Sequence, residues 1–108
     1  PGGSSNTVSH FNPGIMTRLT NDLNDMGYAY FDWNVSAADT ASDATRYTVI
    51  ENFKESVPKH DYSVVLQHDT NAFSVDAVEE ILSWGIKNGY SFRALDLTRP
   101  AVHHSVAN

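Results

Sequence analysis

The sequence contains no cysteine, which excludes a disulfide framework and thiolate metal ligands while leaving the cellular compartment open. It has no apolar run near the roughly 18 residues that a membrane-spanning helix needs. Basic runs are also missing. Seven Lys and Arg against thirteen Asp and Glu leave a formal charge of −6, so nucleic acid and anionic membrane surfaces are poor partners and a neutral or weakly charged ligand suits the chain better. What is present is ordinary globular material. Of 108 residues, 41% are hydrophobic and 19% charged, enough for one small domain with its own core but not for a complete large barrel.

Residues 62–70, YSVVLQHDT, stand out as a short β-branched apolar run that ends on a histidine and an aspartate. Bounded by polar residues, it reads as a strand over 62–67 buried on both faces. Upstream, Asn12 and Pro13 suit a helix start, with Ile15, Leu19 and Leu23, joined by Met16 and Met26, on one face and Gly27 as the stop. Residues 28–34, YAYFDWN, are aromatic and predict a strand, followed by a loop over 35–43. A second helix is expected over 44–57, with Val49, Ile50, Phe53 and Val57 inward and Pro58 ending it. Ser74 is placed to cap a third helix, with Val78, Ile81, Leu82 and Trp84 or Ile86 as its buried stripe, Gly85 as a weak point and Gly89 as its end. Residues 90–95 predict a third strand. Helix then strand, three times over, implies an α/β fold of three αβ units with parallel strands and crossover connections.

Parallel strands send their carboxyl ends to one edge, where α/β proteins gather their chemistry. That inference collects residues 32–39, His68 with Asp69, and Asp96. His68 is the strongest candidate, since histidine is the usual general acid or base near neutral pH and a carboxylate beside it orients the ring. Asp32, Asn34 and Ser36 share one strand face by parity, with Asp39 following in the loop. Each taken singly also fits turn chemistry. Gly2 and Gly3 permit close backbone approach to a ligand oxygen. His103 and His104, near the end, read as part of a solvated tail over 98–108.

In this order, PGGSS, DWNVSAADT, VVLQHDT and NGYSFRALD resemble the downstream half of a polysaccharide deacetylase of carbohydrate esterase family 4, of the Firmicutes peptidoglycan or chitin-oligomer type. The resemblance covers residues 1–97. It implies the C-terminal part of a distorted (β/α) barrel and a hydrolase that removes N-acetyl groups from an amino-sugar polymer using a divalent metal, zinc or similar. It implies His68 as the general acid, the Gly2 amide as an oxyanion donor, and Pro1 and Leu66 as acetyl-pocket walls. It places the histidine's supporting aspartate at Ser36, with Asp39 and Thr40 completing that motif, so Ser36 and Thr40 depart from the family's aspartate and tryptophan. The family's metal ligands fall outside this sequence, and no metal is expected at this chain's share of the site. The corresponding expectations are a fragment inactive alone, a polysaccharide substrate, the upstream half or a second copy as protein partner, and an extracellular or cell-wall location. A non-catalytic glycan-binding module on the same scaffold is the alternative.

Overall fold

The computed structural model describes residues 2–108. It divides into two units, one formed by residues up to Trp33 with Leu95–Asn108, the other by Asn34–Ala94. No helix among the described residues is long and apolar enough to cross a membrane.

The Asn34–Ala94 unit is built on a parallel pair of short strands, β1 (Val35–Ser36) and β2 (Val65–Leu66), with Val35 opposite Val65 and Ser36 opposite Leu66. Between them runs α2 (Arg46–Ser56), whose Thr45 cap and Thr48 bond each other's backbone N–H reciprocally. That arrangement satisfies amides which the first helical turn leaves without partners. After β2 come α3 (Ala72–Asp76) and α4 (Val78–Lys87). Val35, Ala37, Val49, Ile50, Phe53, Val57, Ala77 and Ile81 form the core. Phe53 meets Trp84 edge-on at a 6.0 Å centroid separation, a geometry that the ring quadrupoles favour.

In the other unit, a short 3-10 turn, Thr7–His10, leads to α1 (Ile15–Asp25). Gly27 follows α1 at φ 83°, donating to the Asn24 carbonyl. A left-handed residue of this kind closes a helix, and glycine adopts it without a side-chain clash.

Parallel pairing across an intervening helix agrees with the α/β expectation. Several details do not. Among the described residues, 28–34 join no ladder, and β1 begins one residue beyond them. Asn34 explains the shift: its backbone N–H donates to the Val64 carbonyl, while its side chain accepts from Val64 N–H and donates to Tyr62 O. An amide side chain thus substitutes for the next rung of the ladder. Residues 90–95 form no strand, since among the described residues they have no strand neighbour. The Tyr90 N–H instead closes α4 by donating to Gly85 O.

Residues 65–67 of the central run are half-buried, and only Val64 within 62–67 is fully buried. Pro13 sits in a turn before α1, where the Asn12 carbonyl accepts from Ile15 N–H. The covered face of α1 carries Met16 and Thr20, whereas Leu19 and Met26 are exposed. Val78, Leu82 and Ile86 of the expected α4 stripe are exposed as well. Gly85 is a close-approach position, because a Cβ there would lie 2.5 Å from the Phe92 ring.

Candidate active site

β1 leads into a loop in which burial alternates: Val35, Ala37 and Asp39 are covered, while Ser36, Ala38 and Thr40 are exposed. Ala37 is pinned from both sides, its N–H donating to Leu66 O and its carbonyl accepting from the Asn52 side chain. Ala38 adopts φ 52°, a left-handed conformation that costs a residue with a Cβ roughly 1–2 kcal/mol. The Ser36 hydroxyl accepts from Ala38 N–H at 3.1 Å, holding that bend. The bend delivers Asp39 inward, only 2% exposed.

Asp39 meets His68 at the downstream end of the β2 segment. One carboxylate oxygen lies 2.8 Å from His68 Nδ1, and the other accepts His68 N–H at 2.6 Å and the Ser74 hydroxyl at 2.6 Å. Asn71 donates to the Asp39 carbonyl, and Gln67 donates to the Ser74 carbonyl at 2.6 Å. Burial alone would push the Asp39 carboxyl up. The hydrogen bonds from the Ser74 hydroxyl and from the His68 backbone and ring, with the charge available on that ring, outweigh it and hold the group below its ordinary value.

An ionised carboxylate only accepts hydrogen bonds, so His68 Nδ1 carries a proton toward Asp39. The other ring nitrogen, Nε2, is left to exchange protons with whatever approaches, and the His68 side chain is 42% exposed. The arrangement is an oriented, solvent-facing imidazole backed by a buried carboxylate, suited to general acid or base chemistry.

The structure therefore joins Asp39 to His68 and gives Ser36 a different task. The position expected to hold the histidine instead supports the turn. Ser74, expected as a helix cap, is fully buried within α3 and donates to Asp39. The sequence contained a sign of Asp39's direction, since Asp39 shares strand parity with apolar Val35 and Ala37. Ser74 gave no such sign. Leu66 is half-buried in β2.

Asp32 and Asp96 are engaged elsewhere, and Asp69 is exposed. Asp32 is buried against Ser4 and His104, and Asp96 forms an exposed turn with Thr98. His103 and His104, expected in a solvated tail, make defined contacts. His103 stacks on Tyr30 at 4.0 Å, and the His104 ring lies 2.7 Å from Trp33 O. Gly2, in the same unit as these residues, is exposed at φ 71°. Pro1 lies outside the described residues. Among the described residues no three His, Cys, Asp or Glu side chains come together to hold a metal ion.

No family model matches the chain, and neither does any curated protein. A solved structure does: the catalytic domain of peptidoglycan N-acetylglucosamine deacetylase from Eubacterium rectale ATCC 33656, at 50% identity and a TM-score of 0.95. The alignment takes in 100% of this chain and 50% of that one. This chain is thus similar throughout, in sequence and in fold, to half the length of a deacetylase catalytic domain.

Proposed function

We propose that this chain is the acid-bearing part of a hydrolase that removes acetyl groups from N-acetylglucosamine units of peptidoglycan or a chitin-like glycan outside the cell or in its wall. The observation that carries the reading is the Asp39–His68 pair, a buried carboxylate fixing the Nδ1 side of an imidazole whose side chain is 42% exposed. The 50% identity to a deacetylase catalytic domain supplies the reaction class.

Cleaving an acetamide requires a proton on the departing nitrogen, because an amide anion is too basic to leave. Protonated His68 donates it from Nε2 while Asp39 stabilises the imidazolium and keeps the ring in register. The resemblance implies that the Gly2 N–H is a donor to the oxygen on which negative charge develops, a role that needs only backbone. Leu66, half-buried in β2, walls the acetyl methyl, and the resemblance implies the same of Pro1, which lies outside the described residues. The resemblance also implies a divalent ion, which would polarise the carbonyl and activate water. The resemblance implies that the residues holding this ion lie outside this sequence.

The test is His68→Ala in the complete catalytic domain, assayed on an N-acetylglucosamine oligomer. Turnover should fall about 10²- to 10⁴-fold, the usual worth of general acid catalysis, with metal content unchanged. Wild-type turnover would reject the role.

A further inference from the structure

The Ser74 hydroxyl is fully buried, and it does not bond as a helical serine ordinarily does. A Ser or Thr hydroxyl within a helix usually bonds back to a carbonyl three or four residues earlier, as Thr20 does in α1, donating to Met16 O at 3.0 Å and Thr17 O at 3.1 Å. Ser74 departs from that habit. The Asn71 carbonyl three residues earlier accepts the backbone N–H of Ser74 and of Val75, while the Ser74 hydroxyl crosses to Asp39 Oδ2 at 2.6 Å.

The hydroxyl starts from a fixed backbone. Gln67 Nε2 donates to Ser74 O at 2.6 Å, and His68, the next residue after Gln67, donates its N–H to the same Asp39 oxygen at 2.6 Å. Gln67, His68, Asp39 and Ser74 therefore form a closed circuit of one peptide link and three hydrogen bonds. All four belong to the Asn34–Ala94 unit. A carboxylate on its own turns easily, because the terminal torsion of aspartate has broad wells in place of sharp staggered ones. One donor on Oδ2 leaves that rotation open. Two donors from different elements, the His68 backbone after β2 and the Ser74 hydroxyl on α3, define the plane of the group and so fix Oδ1 at 2.8 Å from His68 Nδ1.

We propose that Ser74, anchored by Gln67, is a positioning residue: its hydroxyl locks the rotation of the Asp39 carboxylate and so aims the His68 ring at the acetamide nitrogen. The proposal rests on the deacetylase reading above. It assigns α3 a part in catalysis without contact with substrate.

A ring out of register fails to hand over its proton in the transition state but leaves ground-state binding alone, so the signature is a loss in kcat with KM retained. In the complete catalytic domain, assayed on an N-acetylglucosamine oligomer at a temperature where each variant is folded, Ser74→Ala should lower kcat roughly 10-fold, the rate equivalent of one hydrogen bond to a charged group. The His68 Nδ1 proton, read by NMR, should exchange faster with solvent. In an Asp39→Asn background the same change should alter kcat less than about twofold, since the group it acts through is gone. If Ser74→Ala does not fold, Ser74→Cys, which keeps the bulk with a weaker donor, carries the test with a smaller kcat loss. An unchanged kcat, a rise in KM at constant kcat, an unmoved His68 Nδ1 proton, or the full loss in the Asp39→Asn background would overturn the proposal. His68→Ala separates the two readings: wild-type turnover there strikes the deacetylase reading, whereas normal kcat in Ser74→Ala beside an inactive His68→Ala strikes the positioning alone.

Discussion

Asp39 holds the imidazole through one oxygen and a backbone amide and a hydroxyl through the other, so its replacements separate charge from packing. Asp39→Asn keeps the volume but removes the acceptor that fixes the Nδ1 proton, and it should lower kcat by about 10²-fold or more. Wild-type kcat in this variant would show that the carboxylate is not the histidine's partner. Ser74→Ala removes one donor from the buried carboxylate. It should cost about 1.5–3 kcal/mol, the worth of a hydrogen bond to a charged group, read by urea unfolding; a change below about 0.5 kcal/mol would mean that the bond is replaced by solvent. Ser36 helps to hold Ala38 in its left-handed bend, and Ala38→Val should therefore be harmful although Ala38 is exposed, because a β-branched residue is strained at φ 52°.

At the scale of elements, α2 shows what the sequence made legible. Val49, Ile50 and Phe53 are buried at the expected helical spacing, because a 3.6-residue period survives whatever the neighbours are. Phe53→Ala should cost about 3–5 kcal/mol in unfolding free energy, since Phe53 packs on both Trp84 and Phe92. The strands were less legible. A strand exists only when another backbone pairs with it, and pairing is non-local: 28–34 and 90–95 have strand composition but no ladder among the described residues. Ser74 failed for a related reason. A serine near a helix start predicts a cap from local sequence, whereas its hydroxyl is claimed by Asp39, 35 positions earlier in the chain. The histidine was found because a lone imidazole at a strand end is conspicuous. Of the two supporting positions the resemblance implies, Ser36 and Asp39, only Asp39 shares the inward parity of Val35 and Ala37.

For the whole molecule, both buried carboxylates point to acid sensitivity. Burial raises the Asp32 carboxyl, and the Ser4 side-chain and backbone bonds, the His104 N–H and the His104 charge bring it below its ordinary value; Asp39 is depressed likewise. A folded-state pKa below the unfolded one means stability that is fully present above the ordinary carboxylate value of about 4 and lost as pH falls through the folded values. Melting temperature should therefore drop as pH is lowered from about 4, and the drop should be shallower in Asp32→Asn; equal slopes would remove Asp32 as a cause. The central claim, that Asp39 and His68 act as one catalytic unit, is tested most directly by a double-mutant cycle on the complete catalytic domain, measuring kcat/KM on an N-acetylglucosamine oligomer for His68→Ala, Asp39→Asn and the pair. Groups that act as a unit are not additive. The double variant should be no slower than His68→Ala alone, and losses that multiply would contradict the coupling.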